Sequence, residues 1–570
     1  MRAPIAKGNR GQLQDDDIGD GCTVLDRRRT LERTDGSTAF DFVMEKSDAY
    51  GLDWWANSEH GGERNRNGAG QFWDDLGTDI LGALETSGGK REMWRWQSLR
   101  DFAFPDVVRN RGLYPDRRIF SGLEWNVPGH EHCSTGVVAK DASAISAFEY
   151  QFDNSDDDFL DAIMGDPAMS PYGTLTKQNG KINFVQNANS VGSTAKSFPE
   201  RHADAVKGCA WMQGVYERGL VDNAWIVFAH IERDGAWDAT TGGGYNVEHF
   251  RDFNSAAPDV CFGFEGAPGH QVNEFRGFGN DVACVGSDCS SDDFGGSYGG
   301  AGIYTAKVGG LWDALLGEGR HWFNYASSDY HRHYTAGGDD FYPGEYQRTW
   351  VKAVDADGDG DYSLNEIADG MRSGYAYFVH GDLVDFLEFS AQSHDQKVEM
   401  GGELVADKPI QNLKLKIRFR SPASNNCAVD GQYITSCAAP VVDHIDLIAG
   451  EIGEPIDPGS PDYTKATNES AKVVASFGRG QWEVDDEGYN LIVHHIKDVT
   501  KDTYFRLRGT NLACNAPFET GPKTALPSAD YCSPLADALV TQNGGSDGAQ
   551  EAWNDLWFYS NPIFVYAGGR

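Results

Sequence analysis

Five stretches of this chain repeat one arrangement: a short apolar, strand-like run that ends on a side chain able to bind metal. They are LDWWANSEH, ending at Glu59 and His60; IFSGLEW, with Glu124; NAWIVFAH, ending at His230; CFGFE, ending at Glu265; and WFNYASSDYH, with Asp329 and His331. Parallel strands in a barrel present their C-terminal ends on one face, where groups from distant positions converge. One histidine after a strand means little. Five such endings in series predict a polynuclear metal site.

Between about residues 40 and 350, strand-like runs alternate with helical ones. FDFVMEKSDAYG precedes LDWWANS, and RHADAVKGCAWMQGVYERG precedes NAWIVFAH. Such alternation implies a parallel sheet or barrel with its active-site loops at one end. Gly/Asp/Asn-rich insertions at 60–72, 150–200 and 266–302 interrupt it, and long loops in such a fold are more often functional than idle. After about residue 395 the texture changes. NLKLKIRFR (412–420) alternates apolar and basic residues strictly, the pattern of a strand with one buried face. HIDLIAG, AKVVASF, YNLIVHHI, DTYFRLRG and WFYSNPIFVYAG read as further short strands, with no helix-length amphipathic stretch before DGAQEAWNDLW. The expected organisation is an α/β barrel over 1–395 followed by an all-β, sandwich-like domain over 396–570.

Composition limits the partners. The net charge of −37, from 49 basic and 86 acidic residues, opposes binding to nucleic acid or anionic membranes. An anionic substrate binds such a chain only where a local cation reverses the field. No apolar run is long enough to span a bilayer, and MRAPIAKGNRGQLQDDD has no signal-peptide apolar core. Either a cytosolic protein is expected, or one whose numbering begins at or near a mature or truncated end. The cysteines favour the second reading. Cys427 and Cys437, Cys514 and Cys532, and Cys284 and Cys289 sit in turn-rich sequence and form no C-x-x-C pair. Short-loop disulfides in an extracellular or periplasmic protein are expected, against free thiols in a cytosolic one.

The most specific local motif is DADGDGDYSLNE, residues 355–366. Asp355, Asp357 and Asp359 occupy positions 1, 3 and 5 of a calcium loop, Gly360 the sharp turn, Asp361 position 7, Ser363 position 9 and Glu366 position 12. A helix-like EYQRTWVKAV precedes it and IADGMRSG follows. The loop is single, so a structural calcium ion is expected rather than a switch. The null is an Asp/Gly turn that binds nothing.

SEHGG and SSDYH each supply a carboxylate and an imidazole, a mixture suited to zinc, iron or manganese. The order SEHGG, SGLEWNVPGHEHC, VFAHIERDG, SSDYH resembles the PHP (polymerase and histidinol phosphatase) superfamily of metal-dependent phosphoesterases, over roughly residues 10–390. The resemblance implies a distorted (β/α)7 barrel holding two or three divalent transition metals (Zn, Mn or Fe). By analogy His60, Glu124 as the bridging carboxylate, His132 or His130, His230, Asp329 and His331 are the ligands. Glu59 stands where that family has Asp and is either a ligand or a proton shuttle. The family's opening H-x-H is missing: Gln14 stands where its first His is expected, and a Thr34-Asp35-Gly36 turn comes later. Asp15 to Asp17 substituting as oxygen donors, a site with fewer metals, and an inactive site all fit that departure.

FEGAPGHQ and GRHWF add Glu265, His270, Arg320 and His321 to the expected pocket, with Arg320 able to grip a phosphate bidentately or to serve as a salt-bridged loop residue. Trp54, Trp55 and Trp125 read as barrel core beside the ligands. The expected function is hydrolysis of a small phosphate ester by metal-activated hydroxide, with Glu59, His270 and Arg320 assisting. The alternatives are a catalytically degenerate extracellular protein stabilised by calcium, and a hydrolase of C–N or C–O bonds. Oligomeric state is not readable from the chain.

Overall fold

The computed structural model describes residues 40–568 except 62–71, 79–88, 92, 155–162, 164–165, 176–195, 232–234, 270–298, 337–339, 395, 425, 427–438, 514–548, 550–551 and 554–555. The N-terminal departure around Gln14, the six loop cysteines, His270 and most of DGAQEAWNDLW lie outside the described residues.

The strand-like runs of the first half form one six-stranded sheet. Its members are β1 (Trp54–Ala56), β2 (Arg118–Asn126), β3 (His132–Val138), β4 (Asn223–Phe228), β5 (Cys261–Pro268) and β6 (Phe323–Ser327), in that spatial order. The pairs β1–β2, β4–β5 and β5–β6 are parallel. β3 runs antiparallel to both of its neighbours. The sheet is therefore mixed rather than all-parallel. It curls into a half-barrel, and among the described residues no ladder joins β6 back to β1. The strand missing from the sequence reading is HCSTGVV. It forms β3 because a tight turn at 127–131 folds it straight back on β2.

β4 and β5 are buried along their whole length, as expected for strands covered on both faces. The cover comes from helices α1 (Phe40–Ala49), α2 (Phe104–Leu113), α3 (Ser143–Phe152), α4 (Phe198–Glu217) and α5 (Val247–Ala256). α4 starts where its sequence says it should. Ser197 and Glu200 form a reciprocal capping box, and Pro199 sits in the first turn, where its missing N–H costs nothing. Trp125, Trp225, Trp312 and Trp322 are buried in the core between sheet and helices. Trp54 and Trp55 are only half-buried.

The second half forms two further sheets. β7 (Gln347–Val351), β8 (Ala376–His380), β9 (Phe386–Ser393), β10 (Gln396–Glu399), β11 (Glu403–Ala406) and β12 (Ile410–Arg420) come first, then β13 (His444–Glu451), β14 (Lys472–Gly478), β15 (Glu483–Val484), β16 (Asn490–Val499), β17 (Thr503–Thr510), β18 (Trp557–Ser560) and β19 (Ile563–Ala567). One sheet runs β10-β9-β12-β16-β15; the other runs β11-β19-β17-β18-β8-β7, with β13 paired to β17 and β14 to β13. In β12 the alternation holds residue by residue: Leu413, Leu415, Ile417 and Phe419 are buried, while Lys414, Lys416, Arg418 and Arg420 reach outward. These apolar residues meet Leu447, Leu507, Phe558 and Val565 of the other sheet in one cluster.

Strand pairing runs across residue 395, since β7, β8 and β9 join sheets built mostly of later strands. The two halves are also pinned by charge. Arg506 of β17 grips Asp313 bidentately, both bonds 2.8 Å and both residues fully buried. EYQRTWVKAV, expected to be helical, contains strand β7. Its β-branched and aromatic residues pair with β8, and tertiary pairing overrides local helix preference. The calcium-type loop thus joins a strand to helix α6 (Leu364–Arg372).

Candidate metal centre

β1, β2, β4 and β6 point their C-terminal ends to the same edge of the half-barrel, and the turn after β2 brings the first residue of β3 there too. His60 follows β1, Glu124 lies near the end of β2, and His132 opens β3 opposite Asn126. His230 follows β4 and Asp329 follows β6. Both of these adopt left-handed backbone, with φ of 50° and 45°. Non-glycine residues held there cost of order 1–3 kcal/mol, a strain that clusters at functional sites.

Glu124 is the centre of the arrangement. One carboxylate oxygen lies 3.6 Å from His60 Nε2. The other lies 3.1 Å from His132 Nδ1 and 3.6 Å from His230 Nε2. His230 Nε2 in turn stands 3.6 Å from Asp329. The ligand atoms fall into two groups that share Glu124, one with His60 and His132 and one with His230 and Asp329. Each group could hold a metal ion. The His60 ring is set for coordination: its Nδ1 donates to the Glu124 backbone carbonyl at 2.6 Å, which leaves Nε2 facing the carboxylate.

The electrostatics agree with the geometry. Burial by itself would raise the Glu124 carboxyl, but His60, His132 and His230 around it outweigh burial and hold its pKa well below the usual range. Burial by itself would lower His132, yet the Glu124 charge prevails and raises it. Glu265, buried on β5, is different. Burial pushes its pKa up to about 7, although the hydroxyls of Ser327 (2.6 Å) and Ser134 (2.9 Å) donate to it.

Glu124, His230, Asp329 and Glu265 line a cavity whose wall also includes Trp54, Glu59, His331 and Arg348. Glu59 is buried there and accepts from Asn57 at 3.0 Å. His331 borders the same cavity, but its Nδ1 donates to the Asp329 carbonyl at 2.8 Å and it belongs to neither ligand group. Arg320 does not reach the cavity. It precedes β6, at the end opposite Asp329, where it binds Glu318, Asn254 and Ser255. His321 lies there too, 3.0 Å from Glu403. Strand polarity explains both displacements, because residues before a parallel strand emerge on the face away from the functional loops.

The sequence could not separate His130 from His132; the structure does. His132 faces Glu124, whereas His130 turns away toward His202 and His249. Arg348 was also missed. It lines the cavity, with its guanidinium held by Gly344, Tyr50 and Asp382. Ser134 and Ser327 carried no sequence signal, since serines in strands are common.

The loop at 355–366 has the wrap expected of a cation site. Asp355, Asp357 and Asp359 converge, and the backbone N–H groups of Gly358 and Gly360 point at Asp355. Glu366 accepts from Ala356 and Ser363 and so closes the loop. The Asp361 side chain instead pairs with Arg118 at 2.5 Å, consistent with a position that serves through its backbone carbonyl. Comparison of this chain with family models, with curated proteins and with solved structures finds no match.

Proposed function

We propose that this protein is a metal-dependent hydrolase of small phosphate esters. The observation that carries the reading is Glu124 shared between two ligand groups on one strand-end face. The donors fit borderline divalent ions: three imidazoles and two carboxylates around a shared oxygen pair, with His60 already in the tautomer a metal requires. When bound, such ions polarise a phosphoryl oxygen and acidify water. A distorted seven-stranded barrel of PHP type remains part of this proposal; the described half-barrel is compatible with part of such a ring.

The residues of the chain take separable roles. Glu124, common to both ligand groups, would supply negative charge to the ions they hold. His60 and His132 hold one side of it, and His230 and Asp329 the other, with strained backbone fixing where the second pair points. Glu265, its carboxyl pushed up to about 7 by burial against the opposing effect of two serine hydroxyls, is placed to keep or release a proton at the cavity wall. Glu59 faces the same space from β1. On a chain of charge −37, the cationic centre is what admits an anionic substrate. In the loop at 355–366, calcium is the proposed ion and fold reinforcement its role.

Elemental analysis of the purified chain together with p-nitrophenyl phosphate hydrolysis tests this. Bound transition metal and an activity abolished by Asp329→Asn are expected. Calcium as the sole metal, with no turnover, would replace the reading by that of a calcium-stabilised structural protein. Metal loading without phosphatase activity, but with turnover of amides or lactones, would move it to another hydrolase class.

A further inference from the structure

We propose that His130, His202 and His249 form a second, nitrogen-only metal site that clamps the β2–β3 turn onto α4 and α5. The three residues come from distant parts of the chain, and their ligand atoms all lie within 4.8 Å of one another. Ring centroids stand 5.1 Å apart for His130 and His202, and 4.5 Å apart for the other two pairs.

Hydrogen bonding decides what these rings can do. His130 Nδ1 lies 3.0 Å from the Gly244 carbonyl, which only accepts, so that nitrogen carries the proton. His202 Nε2 lies 3.1 Å from Asp252, which also receives the Tyr463 hydroxyl at 2.7 Å. Both contacts reach carboxylate oxygens, which accept. His202 Nε2 is therefore protonated as well. The remaining nitrogens, His130 Nε2 and His202 Nδ1, face each other at 2.9 Å. In neutral rings both carry lone pairs, and two lone pairs at that distance repel unless a cation lies between them.

A proton satisfies two rings; a metal ion uses a third. His249 supplies it, and Trp237, Tyr245 and Phe253 box the cluster in. Both acceptor bonds, Nδ1–H to a carbonyl and Nε2–H to a carboxylate, are the outer contacts that ligating histidines make. A tetrahedral ion with bonds of about 2.0–2.1 Å would set the two nitrogens about 3.3 Å apart, a small opening from the present distance. His249 must pay for its part, because its Nδ1 now accepts the Asn246 N–H at the start of α5. It becomes a ligand by giving up that bond, so it is the weakest of the three. Three imidazoles with no oxygen donor among the described residues select zinc, cobalt, nickel or copper rather than manganese, magnesium or calcium.

The cluster is independent of the Glu124 centre in its ligands, but His130 and His132 share one turn. Gly129, at φ 84°, lets that turn press on α4: an added Cβ would lie 3.1 Å from both Arg201 Cβ and the Phe198 carbonyl. An ion here would hold His132 in place through two peptide units.

The test uses the full chain stripped by chelator and dialysed against Zn²⁺ with Ca²⁺ in excess. Both are done in an Asp329→Asn background, so that changes at the Glu124 centre cannot mask the result. His202→Gln should lower the bound zinc by about one ion per chain. Asp252→Asn, which leaves all three rings in place, should weaken that ion by about 10–100-fold. Co²⁺ loading should give an intense visible spectrum that His202→Gln abolishes. Equal zinc content and affinity across the parent, His202→Gln and Asp252→Asn chains would leave a proton as the occupant and overturn the proposal. If His202→Gln fails to fold, the affinity of Asp252→Asn alone decides.

Discussion

His130 and His132 are two residues apart and end in opposite environments. His132 meets the carboxylate of Glu124, which overrides burial and raises its pKa. Among the described residues no carboxylate contacts His130; burial and then the neighbouring His202 drive its pKa well below the ordinary value. One side chain is prepared for a cation by an opposite charge, the other by neutrality and fixed tautomers. Two metal-capable clusters can therefore sit side by side and want different ions: a mixed oxygen–nitrogen set at Glu124, and a nitrogen-only set at His130.

The contrast is sharpest if the bridging carboxylate is removed. Glu124→Gln keeps the shape but deletes the charge common to both ligand groups. Hydrolysis of p-nitrophenyl phosphate should fall by at least about 10³-fold, since metal stabilisation of the transition state is worth several kcal/mol. Zinc at the His130 cluster should persist in the same variant. A chain that keeps its turnover without that charge would break the comparison.

A third region, the oxygen-only loop at 355–366, extends the series. Chelating calcium should lower the thermal midpoint, by an amount that corresponds to about 2.7 kcal/mol when the ion is present at 100 times its Kd. Asp355→Asn should show a smaller response to calcium. An identical midpoint with and without the ion would make the loop an ordinary acidic turn.

His380 shows what an imidazole does where, among the described residues, burial alone sets its charge. It is fully buried on β8, stacks on Tyr346, and burial pushes its pKa down to about 3. The unfolded chain protonates this residue near 6.5, whereas the folded chain does not until about pH 3. In that window the unfolded state binds more protons, so stability falls as pH falls, at up to roughly 1.4 kcal/mol per pH unit. Above about 6.5 the residue has no effect. His380→Phe should flatten the acid limb of a urea-midpoint profile relative to the parent. Parallel profiles would show that His380 is protonated, or hydrated, in the folded state.

The smallest expected effect is at Arg320. Tied to Glu318, Asn254 and Ser255 at the far end of β6, it should leave KM for a phosphate ester unchanged when replaced by Gln, with stability reduced instead. A tenfold rise in KM would return Arg320 to the pocket.

Much of the molecule was legible from short-range pattern. Strict alternation in 412–420 marked β12, and the motif at 355–366 marked a loop whose first three acidic residues converge. WFYSNPIFVYAG was read as strand and is two strands, broken at Asn561-Pro562, where proline cannot donate to a ladder. EYQRTWVKAV went wrong because helical periodicity over one short segment cannot outweigh a waiting partner strand. HCSTGVV went unread because its apolar residues are few and small, and its place is set by the neighbours β2 and β4.

By itself the sequence determined which strands end on metal-capable side chains: His60, Glu124, His230 and Asp329 were all visible as endings, and all four meet in space. Only the tertiary structure decided which of His130 and His132 joins them, that Arg320 does not, and that His202 and His249 on two helices share a site. The physical reason is range. A strand, a cap or a calcium loop is dictated by neighbours within a few residues. Convergence depends on strand direction and on a single turn, and here the left-handed Gly129 sends two nearby histidines to different sites.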